Sequence, residues 1–248
     1  MKLILRASLV IAALLFAVPT MAQDDDTNVN ITRWSTGTIA YRKISTGVAT
    51  GSEEWRITVH PDGSRTLNTT NRLGPFKTQR TVVLRVAKNF RPLDLYASFW
   101  TLGAWVGTGL MTVDKNVLNA VVSSPHGRIT QQVSIPEQFA FIPHPLQSNA
   151  WQTWAYDKSK GGPQTTKVYD LKTRLAGPGD VLGPMYDITT TCVGEEDMTT
   201  PAGKFRVDHF RNDSGTDIYI TGPDAILVRF IWPAVDEEYL LTLLATGR

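Results

Sequence analysis

From residue 31 onward the chain reads as short runs in which apolar and polar residues alternate, the period-two pattern of strands with one buried face. Residues 55–60 run into the turn Pro61-Asp62-Gly63, and a polar-alternating run follows over 64–72, which predicts a hairpin. Over 81–86, Val82, Leu84 and Val86 fall on one face. Residues 117–123, the turn Pro125-His126-Gly127 and residues 128–135 predict a second hairpin, with Ile129, Val133 and Ile135 together on one side. Further strands are expected at 165–175, 185–193, 204–210, 217–220, 226–232 and 238–244, punctuated by Gly194, Gly203, Gly215 and Gly222. The one helical stretch, 146–156, follows Pro143-His144-Pro145 and suits a lid or rim loop.

Two stretches break the alternation. Between Phe90 and Met111 large apolar residues occupy both strand phases, and residues 226–232 behave likewise. An antiparallel sheet normally leaves one face to solvent, so such strands predict core on one side and a covering element or an apolar ligand on the other. No internal repeat or linker appears. The pattern predicts an all-β fold for residues 31–248: ten or eleven strands in meander order forming one strongly curved antiparallel sheet, an unclosed barrel, or alternatively two small packed sheets.

The first 22 residues have a different character. Lys2 and Arg6 precede an apolar run ending at Pro19, and Thr20-Met21-Ala22 puts small residues before a cut at Gln23, the arrangement of a secretory signal peptide. The run is shorter than the roughly 20 residues of a spanning helix, and no cysteine follows it to carry a lipid. Residues 23–30 read as a disordered acidic leader. The expected location is periplasmic or secreted, with no integral membrane span. Nineteen Gly and fourteen Pro in 248 residues argue against a helical bundle. Removing the signal takes two bases and no acid, leaving 23 of each sign; with no basic stripe, nucleic acid is not expected as a partner. Cys192 is the sole cysteine, so no internal disulfide or thiolate metal site is available.

Candidate chemistry is sparse. No His pair has metal-ligand spacing, and no nucleophile elbow, Ser-x-x-Lys or phosphate loop occurs. No metal or other cofactor is expected. His60 and His126 sit at turns and read as solvated. His144, in its proline-bracketed loop, and His209, in phase with Phe205 and Val207, are the candidate proton carriers, with Asp157 or Asp208 as orienting carboxylates. Glu195-Glu196-Asp197 reads as a solvated connection. The aromatic load says more: Phe99, Trp100, Trp105, Trp151, Trp154 and Trp232 are the expected lining of an apolar cleft.

Phe90-Arg91-Pro92, HPLQSNAW (144–151), GEEDMTTPAGKFRVDHFR (194–211), TGPDAILVRFIWP (221–233) and the closing YLLTLL (239–244) resemble a family of exported bacterial proteins, domain of unknown function 3108. The resemblance covers residues 80–244 and rests on turn and core motifs. It implies a LolA-like fold, an unclosed β-barrel around a lipid-sized cavity, and it carries no catalytic residue over. Two functions follow as expectations. One is an exported protein that binds or carries a lipid, terpenoid or aromatic molecule on the concave face, with envelope proteins as further partners. The other is a cofactor-independent isomerase, lyase or hydrolase acting on a hydrophobic substrate in the same cavity.

Overall fold

The computed structural model describes residues 31–74, 77–171 and 183–248, so the signal and leader readings lie outside the described residues. Among the described residues fifteen strands form a single sheet: β1 (Arg33–Lys43), β2 (Ala49–Val59), β3 (Arg65–Leu73), β4 (Thr78–Val86), β5 (Pro92–Thr101), β6 (Ala104–Asp114), β7 (Val117–Ser124), β8 (Gly127–Ser134), β9 (Phe139–Ile142), β10 (Pro163–Asp170), β11 (Met185–Thr200), β12 (Gly203–Asn212), β13 (Asp217–Thr221), β14 (Ile226–Trp232) and β15 (Glu237–Gly247). The order across the sheet is β8 to β1, then β15 down to β9, so two meanders join where β1 pairs with β15. The sheet is curved and unclosed. Its β8 side meets β10 through a side chain, Tyr169 donating to Gln131 at 2.6 Å.

The alternation seen in the sequence is the alternation of burial. In β2, Glu53, Trp55, Ile57 and Val59 face inward, and in β4 Arg80, Val82, Leu84 and Val86 do. These inward rows form one core that spans both meanders. The count exceeds the expected ten or eleven because the stretch between Phe90 and Met111 is two strands, β5 and β6, and because β1 and the short, wholly buried β9 carry little turn punctuation.

Residues 194–200 correct another expectation. Glu195, Glu196 and Asp197 are not a connection but the second half of β11, paired to β12 from Thr190 to Thr200. Gly194 makes this continuous: its φ of 148° absorbs the register shift between Cys192 and Gly194, a bulge that a side-chain-bearing residue would enter only with strain.

All neighbouring pairs are antiparallel except β9 with β10. A parallel pair needs a crossover, and here it is α1 (Leu146–Ala150) followed by a 3₁₀ turn (Trp151–Ala155), the helix expected at 146–156. It runs along the concave face as a plug: Leu146, Gln147, Ser148, Ala150 and Trp151 are buried, and α1 contacts β3, β13 and β14.

The two doubly apolar stretches resolve differently. Around β14, Val228 joins Val207 and Tyr219 in a small second cluster on the outer face. On β5 and β6 no such cover exists among the described residues: the cross-strand pair Tyr96 and Leu110 stays exposed, as does Trp100, whose partner is Trp105.

Candidate functional site

The concave face has a polar end and an aromatic end, joined by the plug. One row of inward positions crosses six strands, Leu241–Ile39–Glu53–Asn71–Arg80–Phe99, each directly opposite the next. Glu53 is fully buried and accepts four hydrogen bonds: from the Tyr41 and Thr69 hydroxyls, each at 2.7 Å, and from the backbone N–H groups of Leu146 and Gln147 at 2.7 and 3.0 Å. A carboxylate from β2 thus satisfies two orphan donors at the start of α1. Burial pushes its carboxyl above the usual range, against the lowering effect of those donors. His144 is half-buried near the same tyrosine, its ring 6.3 Å from Tyr41 and 6.2 Å from Tyr239. Burial, with the nearby Arg80 guanidinium, holds its pKa well below the ordinary value, so the ring is neutral.

The far side of the plug is held by side chains that copy backbone pairing. The Gln147 amide donates to the Ala225 carbonyl at 3.1 Å and accepts from the Leu227 N–H at 2.9 Å. The Trp151 indole donates to the Asp224 carbonyl at 3.0 Å. The Asp224 carboxylate in turn accepts from Arg33 at 2.6 and 2.9 Å and from Arg65 at 2.8 Å, which ties β1 and β3 to the turn before β14. Burial would raise its pKa, but the two guanidinium groups outweigh that and lower it.

At the plug's exit the aromatic rings gather. Trp154 is 48% exposed and stacks on Phe90 at 4.3 Å, and Phe90 meets Trp151 edge-on at 5.5 Å. The indole of Trp154 donates to the Asn89 carbonyl. Phe90 holds φ at 57°, a conformation that costs a bulky residue on the order of 1–3 kcal/mol and here turns its ring under Trp154, with the Arg65 guanidinium 4.1 Å from the ring centroid. Two clefts open on either side of Trp154. One, of about 350 Å³, has Phe90, Arg91, Glu137, Phe139 and Trp151 among its walls. The other, of about 370 Å³, includes Tyr156, Asp157, Lys158, Asp208, Phe210 and Ile220. Both fall in the size range of small-molecule sites, the first with mixed polar and apolar walls and the second with mainly apolar ones.

The expected site residues fall into separate neighbourhoods. Trp151 and Trp154 come together at the clefts. Phe99 is core beside Arg80, and Trp232 packs partly buried against the core at the end of β14. Trp100 and Trp105 pair with each other, and Trp105 lines a third recess with Pro125 and His126. Asp157 and Asp208 do share a cleft: Lys158 reaches Asp208 at 2.5 Å, while Asp157 is held low by the Ser159 hydroxyl and N–H. His209 belongs elsewhere. It stacks on Tyr219 at 4.2 Å, contacts Asp217 at 2.7 Å and Glu196 at 3.3 Å, and shares the outer face with Val207. Glu53, Asn71 and Arg80 were not singled out from the sequence. Their signal was available, since each is a polar residue on the apolar phase of its strand.

Among the described residues no group of three or more His, Cys, Asp or Glu could hold a metal ion, and no helix is long and apolar enough to cross a membrane. No family model matches the chain, and no curated protein matches it. Two crystal structures are similar over most of their length. A candidate lipoprotein of Parabacteroides distasonis is 12% identical, with TM-score 0.31, covering 85% of this chain and 94% of the other. A candidate exported protein with a YmcC-like fold from Bacteroides fragilis is 11% identical, with TM-score 0.37, covering 85% and 95%. Likenesses this weak carry nothing about function.

Proposed function

We propose that this chain is an exported binding protein that holds a small hydrophobic or aromatic molecule at the mouth of the rolled sheet, against Trp154. The observation that carries the reading is a large aromatic side chain left half in solvent at the meeting of two core-walled clefts, over a neighbour whose backbone is strained to support it. Burying apolar ligand area there is worth about 25 cal/mol per Å² before the cost of association. The charged groups at the rims, Arg91, Glu137, Lys158 and Asp208, would orient a polar end outward. Export rests on the pattern of residues 1–22, and membership of the domain of unknown function 3108 family is part of the same proposal.

Titration with an apolar fluorophore, followed by energy transfer from tryptophan, tests it. Trp154→Ala should weaken binding at least tenfold while leaving the melting temperature within about 3 °C, because the ring is half exposed. Unchanged binding by a folded Trp154→Ala protein would move the site away from these clefts.

A further inference from the structure

We infer that Arg80 is the centre of a second binding site, for a compact oxyanion such as a carboxylate or phosphate, on the concave face at the end where the plug begins. Arg80 lies on the inward phase of β4 with Val82, Leu84 and Val86 and is 8% exposed. Its Nε and Nη1 atoms have no hydrogen-bond partner, and no carboxylate lies within ion-pair distance of it among the described residues. Glu53, two strands away in the same row, has its oxygens taken by four donors.

The molecule contains its own control. Arg65 is buried to the same degree, at 7% exposure, yet it bonds Asp224 and three backbone carbonyls, of Gly63, Lys88 and Pro223. One buried guanidinium is fully engaged and the other keeps two unpaired donors on a buried positive charge, which an oxyanion would satisfy. Arg80 does not escape by losing its proton, because burial lowers its pKa only to about 10.

Its surroundings are aromatic. The Phe99 ring lies 6.0 Å below the guanidinium, and the neutral His144, Tyr41 and Tyr239 are close by. On the adjacent strand Asn71 Oδ1 is also without a partner, an acceptor suited to an O–H on the anion, as in a monoprotonated phosphate or a hydroxy acid. The plug separates this site from the Trp154 clefts, so the inference does not depend on the ligand proposed there.

Thermal melting of the wild type, Arg80→Met and Arg65→Met, with inorganic phosphate, laurate or dodecanol, tests the site. At a hundredfold excess over its Kd a bound anion should raise the wild-type melting temperature by about 5–10 °C, with no rise in Arg80→Met. In anion-free buffer Arg80→Met should melt no lower than wild type, since it removes an unpaired buried charge. Arg65→Met should melt clearly lower, since it strips Asp224 of a partner. A response to phosphate assigns the site to free oxyanions. A response to laurate alone assigns it to anionic lipids. The inference is overturned if no anion shifts the wild type, if Arg80→Met responds as the wild type does, or if it melts several degrees below it in anion-free buffer. Dodecanol reports separately on the clefts: its binding, lost in Trp154→Ala and kept in Arg80→Met, would stand whatever the anions do.

Discussion

Glu53 shows how one side chain sets the interior. A buried carboxylate costs several kcal/mol unless its oxygens are engaged, and here four donors from three parts of the chain converge on it. Glu53→Gln keeps the shape but turns an NH₂ toward two donors. The expected loss is about 3 kcal/mol of unfolding free energy in urea, with earlier proteolysis within the plug; a loss below about 1 kcal/mol would contradict the role assigned to it. His144 makes a second prediction. Its folded pKa lies well below the unfolded value near 6.5, so below about pH 6.5 the unfolded chain binds a proton that the folded one refuses. Its contribution to stability is therefore complete above that pH and falls as the pH drops toward the folded value. Melting temperatures between pH 7.5 and 5 should decline less steeply in His144→Phe than in wild type, and parallel profiles would refute the assignment.

At the scale of elements, the plug and its anchors decide what is rigid. Asp224 joins β1 and β3 to the β13–β14 turn and shares its backbone carbonyl with Trp151. Asp224→Ala strands Arg65 in the interior and should cost about 3–5 kcal/mol, measured by urea unfolding. Wild-type stability from this clamp holds above about pH 4 and is lost as the pH falls through the lowered folded pKa of Asp224. Trp151→Ala should cost about 3–5 kcal/mol by the same measurement, against less than about 1 for Trp154→Ala, because one indole is core and the other is rim. The sequence pattern predicted the helix within a residue or two and placed both tryptophans on it. It did not predict that the element lies inside the sheet, because that depends on Glu53, about 90 positions away, capping it. Glu53 and Arg80 were legible in principle as charges on apolar phases, but a charge there reads equally as a strand end until the partner strands are known. The long β11 was missed because Gly194 looks like punctuation and acts as a bulge.

For the whole molecule, hydrophobic alternation predicted the all-β class and left a single curved sheet and two small packed sheets both open; the family resemblance favoured the unclosed barrel, and the strands form one sheet. The closure of β1 on β15 and the parallel β9–β10 pair were not legible, being contacts between distant parts of the chain with no local signature. The rolled sheet opens two clefts at the Trp154 mouth and leaves an apolar stripe of Tyr96, Trp100 and Leu110 uncovered outside, and the proposed ligand site belongs to the mouth. The most direct measurement is native mass spectrometry of the protein purified from its own envelope fraction, with organic extraction of what accompanies it. The account predicts a discrete apolar small molecule, bound one per chain and absent from Trp154→Ala purified in parallel. A wild-type protein that carries none, and takes up none from an extract of the same membranes, would contradict it.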